Sequence, residues 1–197
     1  DIVGREEVAK LYAELGIFPL DERTDNSMSE VSDHVAALAQ LPLVGQPGQR
    51  FVYSVSIDVL GRILEILKNQ RLNSILDELV FEPLGMDSTG FVVPKQKADR
   101  MAQMYRPRLA TYPVPGAFKQ YQPYEVGEGR INFGLKPDRL INGGAGLISS
   151  ANDYSQFLRM LLNGGEFQGK RLLSKEKVEW MFTHQLPEHL GPEALVY

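Results

Sequence analysis

The chain has no cysteine, one tryptophan and only three histidines. Without cysteine there are no disulfides, no thiolate nucleophile and no cysteine-ligated metal. His34, His184 and His189 are scattered without ligand spacing, so a zinc site is not expected. No apolar run approaches the roughly 18 residues that a membrane-spanning helix needs. The first residues, Asp1 to Glu7, lack the basic region and apolar core of a secretory signal. Neither sign of charge dominates: charged residues make up 23% and the net charge is -4, which creates no field to draw nucleic acid or an anionic membrane. Internal repeats and low-complexity segments are also absent. What is there is ordinary globular material, 197 residues at 43% hydrophobic content. That suffices for one sizeable core or for two small ones sharing an interface.

Helical periodicity dominates the first half. Val8, Leu11, Tyr12 and Leu15 mark a helix over Arg5 to Leu15 that Gly16 stops. This helix starts abruptly, and the chain is therefore expected to be a piece of a longer protein. Val31, Val35, Leu38 and Leu41 mark a second helix from about Ser29, ended by Pro42. The third, about Ser54 to Asn69, carries the widest apolar arc, from Val55 and Ile57 to Ile66 and Leu67. Asp58, Gly61, Arg62, Glu65 and Lys68 fill the rest of its circumference. So wide an arc predicts a helix buried among several neighbours. Asn73 reads as the cap of a fourth helix with Ile75, Leu76, Leu79 and Val80 inward, ending at Glu82 to Met86.

From Asp87 to about Leu140 the periodicity fades into a proline- and aromatic-rich stretch, with short strands expected near Phe91-Val93 and Met101-Tyr105. So long an irregular segment inside a compact domain is usually functional or supported by other parts of the protein. Regular structure returns at Gly143-Gly144-Ala145-Gly146. These glycines lack a strand-loop-lysine context, so close backbone packing is expected there in place of phosphate binding. Ser150 with Asp153 predicts a capped helix over Ala151 to Leu162, and Asn163-Gly164-Gly165 ends it. A turn at Gln168-Gly169-Lys170 precedes Ser174, the expected cap of a last helix through Phe182.

One residue stands out chemically. Pro47-Gly48 is a turn, and Tyr53 follows it at the mouth of the third helix, where a rigid element would present its phenol. A free phenol titrates near ~10 and is a poor base at neutral pH. Neighbouring lysines would favour the phenolate, and lowering its pKa by about 3 units corresponds to roughly 4 kcal/mol. The plain alternative is a packing tyrosine with its hydroxyl bonded to backbone.

Pro47 to Val55, with Asp58-Val59-Leu60-Gly61 beyond it, resembles the second motif region of the serine β-lactamase-like superfamily, most nearly class C β-lactamases and family VIII carboxylesterases. Phe81 to Phe91, then Gly143 to Tyr154, then Leu172-Leu173-Ser174 follow in the family's order. The resemblance implies a mainly α unit with a few short β-strands, the helical domain of the β-lactamase/transpeptidase-like α/β fold. On this reading residues 1–142 form the helical domain with its long irregular region, and 143–197 hold helices that pack against an α/β domain. It implies acyl-serine chemistry in which the motif tyrosine, here Tyr53, is the general base. No cofactor is implied, and the substrate is a small-molecule ester or lactam.

Two departures matter. The third motif position is usually asparagine in β-lactamases, whereas here it is Val55, which cannot hydrogen-bond a substrate amide and would simply border the acyl site. This favours an esterase. The only Ser-x-x-Lys pattern, Ser174 to Lys177, falls after Tyr53 where the family's nucleophile precedes it, and reads as a helix cap. His189-Leu190-Gly191 fits a late family motif but sits too early for it. The nucleophile is therefore expected upstream of Asp1 and the oxyanion-lining strand beyond Tyr197, leaving this chain inactive alone. Tyr105, Tyr112, Tyr121 and Tyr124 are open candidates for lining an acyl pocket. Uncovered apolar surface would favour self-association. The rival reading is a non-catalytic helical interaction module or an inactive family member.

Overall fold

A computed structural model describes residues 5–15, 17, 30–43, 45–49, 51–103, 105–107, 121–123, 141–187, 189–190 and 195–196. The fold is mainly helical, with short two-stranded pairings. Helix α1 (Arg5–Glu14) and α2 (Val31–Leu38) lead to strand β1 (Phe51–Val52), and β1 runs directly into α3 (Ser56–Lys68). Next come α4 (Leu72–Leu76), a π-helical turn at Asp77–Phe81, α5 (Glu82–Leu84) and a 3-10 turn at Lys95–Arg100. Strands β2 (Tyr105–Pro107) and β3 (Tyr121–Pro123) pair antiparallel. Helix α6 (Ala151–Leu162), the hairpin β4 (Glu166–Phe167) and β5 (Lys170–Arg171), helix α7 (Lys175–Met181) and β6 (Leu195–Val196) complete the order. Strand β6 lies parallel to β1 in the register Phe51 to Leu195 and Val52 to Val196.

The second half folds as its local chemistry dictates. Ser150 Oγ accepts the Asp153 amide at 3.1 Å and donates to the Asp153 carboxylate at 2.9 Å. Ser174 likewise accepts the Lys177 amide, so the Ser-x-x-Lys pattern is a helix cap. Gln168 and Gly169, with φ of 49° and 78°, supply the two left-handed positions that a tight hairpin requires. Around these elements lies the core: Phe81, Leu84, Met86, Met160 and Phe167, flanked by Phe157, Leu161, Leu172 and Leu173.

The first half departs from expectation at three places. In α3 the buried residues are Asp58 and Gly61, while Ile57, Leu60, Ile63, Leu64, Ile66 and Leu67 are exposed by 41–75%. The wide apolar arc thus faces outward among the described residues. The cause is steric: Gly61 has no side chain, and Leu72 Cδ2 and the Gly143 amide stand 3.0 and 3.5 Å from where a Cβ would be. The helix lies on its glycine side. Second, Arg71, not Asn73, occupies the cap position of α4. The Leu72 amide donates to the Glu65 carboxylate at 3.0 Å, which does the work of a cap from the preceding helix, and the Asn73 Oδ1 is buried without a hydrogen bond among the described residues. Third, Leu79 is exposed and Phe81 takes the inward position. The π-helical turn before Pro83 changes the angular spacing there, and it spares the Leu79 carbonyl a clash with the proline ring.

Of the two strands expected in the irregular stretch, Phe91-Val93 is reduced to a bridge between Gly90 and Ile148. The other begins at Tyr105. Tyr112 and Tyr124 lie outside the described residues, and of Tyr105 and Tyr121 only the backbone pairing is described.

Candidate active site

Tyr53 lies between β1 and the first turn of α3. The turn before it has Gly48 at φ 81°, and the Gly48 carbonyl is 2.9 Å from His189 Nε2. His189 thus braces the approach to Tyr53. Beyond the tyrosine, Ser54 Oγ accepts the Ser56 amide at 3.3 Å and lies 2.6 Å from the Ser56 hydroxyl. Val55 occupies the N-cap and is buried, and its carbonyl accepts the amides of Asp58 and Val59. The Tyr53 side chain is 71% exposed. It makes no hydrogen bond among the described residues. Val55, by contrast, is only 8% exposed.

Behind this turn is a buried polar junction that periodicity alone misses. Asp58, 4% exposed, accepts the Gly144 amide on Oδ1 at 2.7 Å. Its Oδ2 is 3.5 Å from Nε2 of His34, which is itself 2% exposed. Gly143 rests on α3 so closely that an added Cβ would stand 2.3 Å from the Ile57 carbonyl oxygen. The glycine run is a packing device, as its sequence context predicted. A signal for Asp58 existed: an acid in a first helical turn, three residues before a glycine, on a helix whose opposite face is mostly apolar.

A second junction joins the two later motif segments. The Gly90 and Ile148 backbones exchange hydrogen bonds at 2.9 Å. Asp153 Oδ2 accepts the Ser88 amide at 2.7 Å and the Thr89 hydroxyl at 2.9 Å, and Thr89 Oγ1 lies 2.7 Å from Ser149 Oγ. Burial by itself would raise the Asp153 carboxyl. The hydrogen bonds from Ser88, Thr89, Ser150 and Asn152 outweigh it and hold the group below the usual carboxylate range.

Between α3, α4 and the glycine loop runs an open apolar groove of about 410 Å³, lined by Ile57, Leu60, Leu64, Leu72 and Phe91 and by the loop from Gly143 to Leu147. Tyr53 is not on its wall. It stands four residues before Ile57, in the segment that leads into the same helix.

The four motif segments therefore meet in one body, and that body is the helical domain of a β-lactamase/transpeptidase-like fold. The beta-lactamase family model matches residues 12–194, and the chain belongs to this family. Over 158 residues it is 42% identical to an uncharacterized protein of Mycobacterium tuberculosis, covering 78% of this chain and 35% of that one. Esterase EstB of Burkholderia gladioli is 30% identical over 168 residues, covering 79% of this chain and 40% of the esterase. The solved structure of EstCE1, a hydrolase with promiscuous acyltransferase activity, superposes with a TM-score of 0.72 at 26% identity, over 93% of this chain and 46% of that one. The chain thus spans less than half the length of these relatives.

Proposed function

We propose that this chain is the helical part of a serine carboxylesterase and that Tyr53 is its general base. The observation that carries this reading is the exposed phenol just before α3, which makes no hydrogen bond among the described residues. In the proposed reaction the Tyr53 oxygen accepts the proton of a serine hydroxyl as that oxygen attacks an ester carbonyl. The proton passes to the departing alkoxide, and water then cleaves the acyl-serine. The serine is supplied from outside these residues, because the one Ser-x-x-Lys pattern present is spent on capping α7. Val55, buried where β-lactamases usually carry asparagine, offers no side-chain donor to a lactam amide. An ester of a short carboxylic acid is therefore the preferred substrate, with a lactam second. The esterase named among the relatives supports the same choice.

A non-catalytic interaction module is the second reading, and the uncovered apolar face of α3 is the observation in its favour. Treating the full-length protein with a fluorophosphonate and with p-nitrophenyl esters separates the two. Labelling of one serine together with ester turnover supports the esterase. A folded protein showing neither is the interaction module.

A further inference from the structure

We infer that Asp58 is a positioning residue for Tyr53: a buried carboxylate that locks the first turn of α3 against the Gly143-Gly144 backbone and against His34 of α2. The inference deepens the reading of Tyr53 as a base and rests on it.

The Tyr53 ring is largely in solvent and its hydroxyl has no hydrogen bond among the described residues. Its placement is inherited from the start of α3. The pairing of β1 with β6 ties the chain before Tyr53, and the Asp58 carboxylate ties the turn after it to Gly144 and His34. Burial of a carboxylate is costly unless its oxygens find partners. Here one oxygen holds Gly144 and the other faces a histidine whose ring nitrogens have no hydrogen bond among the described residues. Three segments distant in sequence, at 34, 58 and 144, converge on this one side chain. The Asp58 amide closes the first turn onto the Val55 carbonyl at 3.0 Å, so the carboxylate and the two residues after Tyr53 share one rigid turn. Gly143 adds a hard stop, because the loop rides directly on the Ile57 carbonyl. Release of Asp58 would let the helix start tilt on its neighbours and would swing Tyr53 with it. The main apolar core contains none of these residues, so the junction is separable from the body of the fold.

The test uses the full-length protein, with active sites counted by end-point fluorophosphonate labelling and kcat expressed per labelled site on a p-nitrophenyl ester. Asp58→Asn keeps the shape and an acceptor for Gly144 but removes the charge that faces His34. The expected result is a native circular dichroism spectrum, unchanged KM and a kcat per site lowered about tenfold or more, as a displaced catalytic group predicts. A purely structural aspartate would lower the melting temperature and the number of active sites, leaving kcat per site within about twofold of wild type; that result overturns the inference. Should Asp58→Asn fail to fold, His34→Gln is measured in the same way, with loss of kcat per site expected and an unchanged value overturning it. Tyr53→Phe separates the two levels. Full turnover in Tyr53→Phe removes the base reading and this inference with it. A crippled Tyr53→Phe beside a normal Asp58→Asn removes the positioning role alone.

Discussion

The Asp58 carboxylate receives the Gly144 amide at 2.7 Å across 86 residues of sequence. Gly144 lies in a loop outside any helix or strand, where amides usually exchange freely with solvent. Its amide is therefore expected to exchange slowly, and Asp58→Ala is expected to speed that exchange about tenfold or more while the α6 amides stay protected. Residue-resolved hydrogen exchange checks this. A fast Gly144 amide in the wild-type chain would sink it.

The close approach of Gly143 to α3 gives a steric prediction. Gly143→Ala puts a methyl group 2.3 Å from the Ile57 carbonyl oxygen, so backbone must shift, at a cost of about 1–3 kcal/mol. Gly169→Ala meets no atom within 4 Å but keeps φ at 78°, which costs about 1 kcal/mol. Urea denaturation of the two variants should rank Gly143→Ala as the more destabilised.

Asp153 makes stability depend on acid. Its folded pKa lies below its ordinary value, so the unfolded chain takes up the proton first as pH falls. The contribution is complete above about pH 4, the usual aspartate range, and is lost as pH drops through the folded value. The unfolding free energy should therefore fall less between pH 6 and pH 2.5 in Asp153→Asn than in wild type.

Tyr53→Phe removes one oxygen from an exposed ring that makes no hydrogen bond among the described residues. Thermal stability is expected to stay within about 0.5 kcal/mol of wild type. Esterase turnover of the full-length protein is expected to fall by about 10²–10⁴, the usual contribution of a general base. Retained turnover would assign the proton transfer elsewhere.

The outward face of α3 predicts association. Ile57, Leu60, Ile63, Ile66 and Leu67 are exposed together along one helix, and a patch of that kind seeks cover. The isolated 197-residue chain is expected to self-associate in sedimentation velocity and to bind an apolar dye. Ile63→Glu with Leu67→Lys should reduce both.

Much of the architecture could be read along the chain because the forces that set it act within a few residues. Ser150 and Ser174 meet amides three positions on, and Gln168-Gly169 bends a hairpin through its own torsions. The motif segments also announced the family, and with it the chemical interest of Tyr53. The cap of α4 shows where such reading stops: Asn73 looked right locally, yet Glu65 reached across from α3 and satisfied the first amide instead.

What the sequence determined by itself was the placing of the main helices, the caps of α6 and α7 and the hairpin turn, and the tyrosine that precedes α3. Which side of α3 turns inward was decided only in three dimensions. An apolar arc records a preference for leaving water, but it names no neighbour. Gly61 let other backbone approach the narrow polar side, and Asp58 found Gly144 and His34 there. That combination of steric access and polar pairing oriented the helix, and neither term is visible in the spacing of its hydrophobic residues.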